Sequence, residues 1–590
     1  MEKRIDIALY IVVLISGIMI FRLWNLQILK GNEYKKIDER NRLRVLNILP
    51  PRGIIYDRNN RALVKNVPSF DITVVKEDIP KDPETLDELG RLIGMKKEEI
   101  VAMIERKPVK PFESLTLKED VSFAEVAKVE ARKVDFPGLQ INVVGGREYM
   151  YGHSASHVLG YIGNLSIEQL RDPHYSDVPP ESVIGQFGIE KIYDRNLRGI
   201  AGKKVIEVDV MGRIMQVVRI QRPIKGQNIR LTIDINLQVE AEKRLRDKTG
   251  AVVALVPDTG EVLVLASSPA FDPNLFVRGI RSRDWKKLIS DRRKPLLNRA
   301  IQSQYPPGST FKIITAITAL EEGLVSENTE YYCNGSLYFG RVFRCWKWAG
   351  HEHVQLQKAL VESCDVYFYE IAKELDIDTL AQYAFGYGLG RPTGVELEGE
   401  AKGIVPTSGW KRETRKDRWY TGETLNTVIG QGYLSTTPIQ MARVMATIVN
   451  GGKLYRPYLF MESGSGAKAE GVVKIRPENT ELIKKALSGV VKDKKGTGRH
   501  AYSELVSIGG KTGTTQVVGG IDRGDDVPDK YKDHAWFLGY APADRPSIAV
   551  AVFIEHGGQG SLSAAPIAKD IIEAYFKGMN NNEGGAFLSP

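Results

Sequence analysis

Three short runs of residues carry the side chains that nucleophilic acyl transfer requires. Ser309 is followed three residues later by Lys312, and residues three apart lie on one face of a helix, so the amine is expected beside the hydroxyl. Burial beside a second cation, Lys511, would favour the uncharged form of Lys312, which is a base. The sequence therefore predicts Ser309 as a nucleophile and Lys312 as the group that takes its proton. The full runs are Ser309-Thr310-Phe311-Lys312, Ser363-Cys364-Asp365 and Lys511-Thr512-Gly513-Thr514.

The remaining side chains of these runs suit the other steps of the same reaction. The backbone N–H of Ser309 and one on the strand that holds Thr514 could bind an oxyanion, which the N-terminus of a helix also stabilises. Ser363 could pass a proton to a leaving amine, and Asp365 belongs to the same run. Lys511 could hold a substrate carboxylate. We expect three residues to bind substrate with it, namely Thr512, Gly513 and Thr514.

Each run also has a structural explanation, and similar runs occur elsewhere in the chain. Ser309 and Ser363 could be helix N-caps, and Lys511 could lie on a surface hairpin. The spacing of Ser309 and Lys312 recurs at Ser408 and Ser465, and K-T-G recurs at 248–250. Only Ser309 follows a rigid Pro-Pro-Gly turn and precedes an uncharged, helix-like run, so the context favours it as the reactive serine.

All three cysteines lie in one segment of the chain. Cys333, Cys345 and Cys364 are accompanied there by His351 and His353. Three thiols and one imidazole make a closed tetrahedral zinc site, with His351 the better histidine ligand and His353 the reserve. A Cys333–Cys345 disulfide with Cys364 as a buried thiol is the alternative, and the sequence leaves both open.

Length and composition indicate several domains and argue against a nucleic-acid partner. The chain has 590 residues, of which 42% are hydrophobic and 26% charged, and its net charge is +9. That length exceeds what one core usually holds. The charges are scattered. The one basic run, 411–418, would suit an anionic polymer or lipid headgroups as a partner, but a solvated loop explains it equally well.

The N-terminus predicts an uncleaved membrane anchor. Residues 7–21 carry no charge, and the apolar character continues to Leu29, which gives the roughly 20 residues that a span needs. Trp24 suits the membrane interface, and the residues that follow it offer no small-residue cleavage site. We expect a cytoplasmic stub and anchor over residues 1–29.

The patterns beyond the anchor predict a multidomain α/β protein. Residues 30–227 are expected to form an elongated α+β pedestal with an inserted head at about 75–145. A helix at about 236–247 and a hairpin around 258–260 open the next domain. Strands at 534–541 and 547–556 and a helix at about 565–576 close it, so a mostly helical middle is bracketed on both sides. This pattern predicts one antiparallel sheet flanked by helices over 228–578. Residues 579–590 are expected to be disordered.

The motifs and their order resemble those of the class B penicillin-binding proteins. PPGSTFK, SCD and KTGT occur in this order, with Ser363 54 positions after Ser309 and Lys511 148 positions after Ser363. IGQG with TPIQMA, and EHGGQG, resemble further stretches of the catalytic domain. RGIIYDRN, HVLGYIG and GQFGIEKIYDRNLRGIAG resemble pedestal motifs. Asp365, where division enzymes usually carry asparagine, and the head insertion are most similar to the penicillin-binding protein 2 group, which acts in elongation.

The resemblance implies a fold, an activity and partners. The fold would be a transpeptidase domain with a five-stranded antiparallel sheet. The activity would be serine D-Ala-D-Ala transpeptidation of peptidoglycan stem peptides from a lipid-linked precursor, with β-lactams as covalent inhibitors. The partners would be a SEDS-family glycosyltransferase and rod-complex scaffold proteins. Some members carry zinc at positions that His351 and Cys364 match most closely. The domain would lie outside the cytoplasmic membrane on a single-pass anchor.

Three other functions use or mimic the same chemistry. A division-specific transpeptidase would differ only in where it acts, and a D,D-carboxypeptidase or β-lactam hydrolase would use water as the acceptor. The long pedestal argues against a hydrolase, which has no need of a spacer. A non-enzymatic β-lactam sensor would need a cytoplasmic signalling domain, and only six residues precede Ile7.

Overall fold

A computed structural model shows an N-terminal helix, a pedestal and a C-terminal α/β domain, which confirms the predicted multidomain α/β architecture. The N-terminal α-helix Glu2–Trp24 continues as one π-helical turn, Asn25–Leu29. Within it Ile7–Leu29 is apolar and unburied over 23 residues, long enough to cross a bilayer. The structure describes residues 2–30, 43–75, 78–79, 82–106, 114–180, 182–209, 214–461, 467, 469–517 and 528–584.

The pedestal is built on two sheets. The longest strand, Ala62–Val75, pairs with Leu139–Tyr149 along eleven residues, and Ser114–Val121 pairs with its far end. Two short strands extend this sheet, Ile55–Tyr56 and Ile229–Arg230, and the second lies just beyond the predicted boundary at 227. The second sheet is Leu43–Ile48, Gly202–Val208 and Ile214–Gln221, and Tyr161–Asn164 pairs separately with Val183–Phe187.

Short helices complete the pedestal and its head. The head packs its helices against the end of the long pedestal strands around a separate apolar core. Pro83–Ile93 begins at the cap Asp82 and ends at Gly94, whose left-handed backbone (φ 70°) favours glycine. The other head helices are Lys97–Arg106 and Phe123–Ala131. The pedestal helices are Ser156–Leu159, Ile167–Arg171, Gly188–Ile192 and Asp194–Arg198.

A buried ion-pair network joins two of the pedestal motifs, RGIIYDRN and GQFGIEKIYDRNLRGIAG, to the strand Leu139–Tyr149. Glu190 is fully buried and accepts hydrogen bonds from Arg52 (2.7 Å) and Arg147 (2.9 Å). Arg52 also pairs with Asp194 at 2.8 Å, and Asp194 pairs with Arg198. Buried charges need such complete pairing to offset the loss of water. The network therefore explains why charged residues lie inside otherwise apolar pedestal motifs.

The C-terminal domain contains one five-stranded antiparallel sheet, as the resemblance implies. Its order is Val262–Ser268, Gly250–Leu255, Ile548–Ile554, His534–Ala541, Gly509–Thr515. Alternate residues of its strands point to opposite faces, and both faces are buried: Ala551 and Phe553 face the helical core, whereas Val550 and Val552 face the terminal helices. Gly509–Thr515 is the edge strand, so part of its backbone is free to face the cleft.

Helices cover both faces of that sheet. Ile235–Arg244 and Ala565–Gly584 pack on one face, and the buried helix Lys312–Glu321 lies in the core on the other. The C-terminal helix runs through residues 579–584, which the sequence predicts to be disordered, while 585–590 lie outside the described residues. The remaining helices are Ser282–Ser290, Leu356–Val361, Asp365–Ile371, Ile377–Gly386, Ser408–Arg415, Thr421–Thr427, Pro438–Val449, Pro477–Lys492 and Gly560–Ser563. Small strand pairs are Glu330–Cys333 with Glu352–Gln355, Ser336–Phe339 with Arg341–Arg344, and Lys453–Tyr455 with Ala469–Val472.

A buried histidine joins the pedestal to the C-terminal domain and predicts a loss of stability in acid. His157 Nε2 donates to the carbonyl of Pro295 (2.8 Å), and burial lowers the pKa of His157 to about 4. Because the unfolded chain then binds the proton more readily, stability is lost as pH falls from about 6.5 towards 4, by about 2 kcal/mol at pH 5. We expect this extra loss in the parent and in the exposed-residue control His500→Asn, but not in His157→Gln. Denaturant unfolding at pH 7.5 and 5 measures it, and equal losses in all three would contradict the assignment.

Candidate active site

Ser309 lies on a tight turn that the sequence holds against the edge strand of the sheet. The turn Gly308–Thr310 is a 3₁₀ turn, and the α-helix begins only at Lys312. Gly308 has φ 56°, and a β-carbon there would come within 2.8 Å of the carbonyl oxygen of Thr514, so only glycine allows this approach. Side chains three apart also align in a 3₁₀ turn, so the predicted proximity of Ser309 and Lys312 does not need an α-helical start.

Lys312 joins the first two motifs through three hydrogen bonds. Its fully buried Nζ donates to Asp365 Oδ1 (2.7 Å), to the Ser363 carbonyl (2.9 Å) and to Ser363 Oγ (3.3 Å). An ammonium has three N–H donors, so this arrangement satisfies all of them. Ser363 holds φ 56°, an uncommon conformation for a side chain other than glycine, which points its carbonyl and hydroxyl at the same amine.

Trp346 is part of the site, although the sequence gives it no role. Its backbone N–H donates to Asp365 Oδ2 (2.9 Å), and its indole N–H donates to the Ser363 carbonyl (3.0 Å). Both oxygens of Asp365 are therefore used, one by Lys312 and one by Trp346. The position directly after Cys345 is the only sequence signal that could have indicated it.

Lys511 supplies the third motif from the edge strand. Burial lowers the pKa of Lys511 well below its usual range, and the nearby charge of Lys312 lowers it further, while Asp365 opposes both. Gly513 lies against the Ser309 turn, because a β-carbon there would be 2.9 Å from the Pro307 carbonyl oxygen. The structure therefore brings all three motifs around one cleft.

Residues from other segments line the same strand. Thr512 Oγ1 is hydrogen-bonded to Thr497 Oγ1 (2.8 Å), and the Gln431 side-chain amide reaches the Thr514 carbonyl (3.5 Å). The backbone N–H of Gly560 lies 3.5 Å from Thr514 Oγ1. Gln431 and Gly560 belong to the IGQG and EHGGQG stretches, which explains why these runs accompany the catalytic motifs.

The predicted metal ligands form one buried cluster beside Ser363. The Sγ atoms of Cys333, Cys345 and Cys364 and a ring nitrogen of His351 all lie within 4.8 Å of one another. All three cysteines are free thiols, so the alternative Cys333–Cys345 disulfide is not formed. His353, the reserve ligand, is exposed and bonded to Glu330 instead.

The chemistry of this cluster fits a metal ion. His351 Nδ1 faces Cys333 Sγ (3.7 Å) and Cys345 Sγ (3.5 Å), while its Nε2 is buried without a hydrogen bond and lies 4.0 Å from a Glu362 oxygen. A ligating histidine commonly directs its other nitrogen at a carboxylate in this way. Hydrogen bonding among the three thiols lowers the pKa of Cys333 to about 6 and that of Cys345 further, and it raises the pKa of Cys364, so the cluster favours two thiolates that share the remaining proton donor. The thiolate, not the thiol, is the form of cysteine that binds a metal.

The cluster is also bonded to the predicted catalytic residues. Cys364 separates Ser363 from Asp365, and the backbone N–H of Asp365 points at Cys345 Sγ (3.4 Å). Any group that holds the three thiols together therefore also fixes the backbone on which Ser363 and Asp365 are carried.

Comparison with known families matches both large domains. Residues 250–573 match the penicillin-binding protein transpeptidase domain, and residues 47–231 match the penicillin-binding protein dimerisation domain. The peptidoglycan D,D-transpeptidase MrdA of Haemophilus influenzae is 34% identical over 97% of this chain and 91% of its own length. The MrdA protein of Escherichia coli K12 is 33% identical over 98% of this chain and 95% of its own.

Solved structures show the same architecture. A complex of PBP2 and MreC from Helicobacter pylori contains a chain with TM-score 0.80 and 29% identity, covering 91% of this chain and 99% of that one. Pseudomonas aeruginosa PBP2 in complex with WCK 5153 gives TM-score 0.69 and 31% identity, covering 90% and 96%. The matched domains, the near-complete coverage and the three motifs around one cleft together show that this chain belongs to the class B penicillin-binding proteins, among which it is similar to penicillin-binding protein 2.

Proposed function

We propose that the protein is a peptidoglycan D,D-transpeptidase that cross-links stem peptides through an acyl-enzyme on Ser309 during cell-wall elongation. One observation carries this proposal: Lys312 Nζ contacts Ser363 Oγ and Asp365 while the Ser309 turn lies against the strand of Lys511. The identity to MrdA proteins over nearly the whole chain supports the same reaction.

The proposed chemistry follows from these contacts. The Ser309 hydroxyl attacks the carbonyl carbon of the penultimate D-alanine, and its proton passes to the amine of Lys312 in the uncharged form, which then gives that proton to Ser363 Oγ. Ser363 Oγ, 3.3 Å from Lys312 Nζ, relays a proton to the leaving terminal D-alanine, which departs as the free amino acid. An acceptor amine then attacks the ester, and the serine hydroxyl is restored as the new peptide bond forms.

The edge strand is proposed to bind the substrate. Thr512, Gly513 and Thr514 would align the stem peptide along the exposed side of the strand, as an added strand pairs with a sheet edge. Lys511 would hold the substrate carboxylate through the N–H donors of its amine. The backbone N–H groups of Ser309 and of the strand near Thr514 would bind the oxyanion.

Reaction products distinguish the proposal from its alternatives. The purified full-length protein, supplied with uncross-linked peptidoglycan strands, should release D-alanine and form cross-linked dimers in similar amounts. Release of D-alanine without dimers would identify a carboxypeptidase, and acylation by penicillin without either product would identify a sensor. An elongation role predicts that depletion rounds rod-shaped cells, whereas a division enzyme would leave filaments.

The location and partners of the chain are proposed on the same basis. The helix Ile7–Leu29 would anchor it in the cytoplasmic membrane, with the catalytic domain on the outer side where peptidoglycan lies. Domain limits of 30–227 and 228–578 are supported by the matches at 47–231 and 250–573. A SEDS-family glycosyltransferase and a rod-complex scaffold protein are the proposed partners, because one similar structure is a complex of PBP2 with MreC and another is that of a peptidoglycan synthase complex.

The cysteine cluster is proposed to bind structural zinc through Cys333, Cys345, His351 and Cys364. Zinc favours three thiolates and one imidazole in a closed site, and bound zinc would hold the backbone of Ser363 in place. It would take no part in the proton transfers.

Loss of the metal should slow acylation at Ser309 moderately. We expect near-stoichiometric zinc in the purified protein by elemental analysis, loss of that zinc in Cys345→Ser, and a roughly fivefold slower acylation by penicillin. His353→Asn is the matched control, because His353 lies outside the cluster, and it should keep the metal and the rate. A metal content near zero in the parent, with two thiols unreactive until reduced, would favour the disulfide instead.

A further inference from the structure

The segment between residues 331 and 351 has an unusual composition that the proposed chemistry does not use. One residue in three is aromatic there, against 8% in the whole chain, and the segment contains arginine and lysine but neither aspartate nor glutamate. The metal cluster explains its cysteines and histidine. It does not explain the aromatic and basic residues.

The hairpin within this segment turns half of those residues to solvent. Ser336–Phe339 pairs with Arg341–Arg344 so that Leu337 faces Phe343, and Tyr338 faces Val342 on the opposite side. The first pair packs on the core, whereas Tyr338 is 75% exposed and Val342 55% exposed. Beyond the hairpin Trp348 is 72% exposed, and the Arg344 guanidinium lies over its ring at 4.4 Å. We call Tyr338, Val342, Arg344 and Trp348 the hairpin face.

The hairpin face is rigidly placed next to the catalytic cleft. Phe343 packs against Tyr369 (ring centroids 5.6 Å apart), and the Tyr369 hydroxyl donates to the Arg344 carbonyl. Tyr369 lies on the helix that begins with Asp365. At the other end of the hairpin, Trp346 is bonded to Asp365 itself. A polymer lying on this face would therefore reach the cleft directly.

The exposed groups select one kind of occupant. Large exposed aromatic rings lower solubility and often mark binding surfaces. The Arg344 guanidinium orients the Trp348 ring, which presents a flat apolar surface. Sugar rings offer matching flat C–H faces, and Arg344 with Lys347 would pair with carboxylates. The absence of acidic residues between 331 and 351 gives charge complementarity to an anionic chain. Peptidoglycan strands combine amino sugars with carboxylate-bearing peptides.

We propose that the hairpin face binds the amino-sugar strand of the peptidoglycan whose stem peptide enters the cleft. This inference rests on the proposed function, and it adds a subsite for the saccharide, with Trp348 and Tyr338 as stacking residues and Arg344 as the anion-binding residue. None of these side chains takes part in the acyl transfer.

The test measures strand binding without catalysis. All proteins are full length and carry Ser309→Ala, and their affinity for uncross-linked strands is measured by co-sedimentation. In this assay the Ser309→Ala protein is the parent. It is compared with variants that add Trp348→Ala, Tyr338→Ala, Arg344→Gln or the exposed-tryptophan control Trp285→Ala. We expect affinity to fall fivefold or more in the two aromatic variants and to stay unchanged in the control. Arg344→Gln should weaken binding of strands with peptides more than that of peptide-free strands. A preference for strands over the lipid-linked disaccharide would identify the polymer as the occupant.

Penicillin acylation provides the second readout, because the drug carries no sugar. With Ser309 present, each hairpin variant should be acylated within twofold of the parent rate. Variants that lose strand binding and acylation together would show that the hairpin only supports Asp365, and variants that bind strands normally would equally overturn the proposal. If a hairpin variant binds strands normally but loses cross-linking only when a second protein is added to the assay, the proposal is overturned and the hairpin face is assigned to a protein partner. If the parent is not acylated at all, the proposed function fails, whereas strand binding is still decided in the Ser309→Ala protein.

Discussion

Ser309→Ala is expected to abolish covalent labelling by a fluorescent penicillin and to reduce cross-linking at least a thousandfold. The hydroxyl forms the only bond between enzyme and substrate in the proposed reaction, so its removal leaves no acyl-enzyme, and nucleophile deletions of this kind cost about 4 kcal/mol or more of transition-state stabilisation. Ser309 is half-buried on a surface turn, and alanine fits the same 3₁₀ backbone, so the fold should be retained. Gel fluorescence after a fixed exposure, with thermal unfolding of both proteins, measures the two effects.

The chain contains its own control for this experiment. Ser408 has a lysine three residues later, as Ser309 does, but its hydroxyl is bonded to Asp378, and Lys411 pairs with Glu423. Ser408→Ala should therefore label as the parent does. Labelling that persists in Ser309→Ala and disappears in Ser408→Ala would move the nucleophile to the second site and remove the basis of the proposed mechanism.

The sequence predicts the sheet well because its strands follow simple patterns. Predicted strand limits at 534–541 agree with the structure, since every residue there is buried or nearly so and the run is bounded by Asp533 and Pro542. The helix ends are less predictable. The C-terminal helix continues to Gly584, because Asn and Glu in an isolated last stretch neither stop a helix nor favour one strongly. The predicted domain boundary at 227 is also inexact, because the strand Ile229–Arg230 pairs with the pedestal strand Ile55–Tyr56. This pairing joins distant parts of the chain, and no local pattern predicts it.

The site shows the same division between local and long-range information. Spacing alone places Lys312 near Ser309, and composition alone groups the cysteines. The sequence does not show that Ser363 adopts a positive φ or that the two oxygens of Asp365 divide between Lys312 and Trp346, because these depend on segments brought together by folding.

Asp365→Asn is expected to slow acylation by penicillin about a hundredfold while leaving the fold intact. The carboxylate accepts one hydrogen bond from Lys312 (2.7 Å) and another from the Trp346 N–H (2.9 Å). An asparagine has one acceptor oxygen and one NH₂ donor, so whichever way it turns, a donor must face a donor. The lost bond and the buried unsatisfied group together destabilise the arrangement around Lys312 by about 2 to 3 kcal/mol. Loss of the negative charge also removes the attraction that positions the Lys312 amine, so acylation slows.

The second-order acylation rate of Asp365→Asn, compared with Asp378→Asn, tests that argument. Asp378 is also a carboxylate on the first turn of a helix, and it too accepts a backbone N–H, from Ser408 at 2.7 Å, but it does not contact Lys312. Both variants should remain folded at the assay temperature, with Asp365→Asn the less stable, and only Asp365→Asn should be slow. An unchanged rate in Asp365→Asn would contradict the prediction and show that one acceptor on Lys312 suffices. A large fall would show that the carboxylate is necessary in this chain through its charge and its two hydrogen bonds, one of them from the residue that follows Cys345.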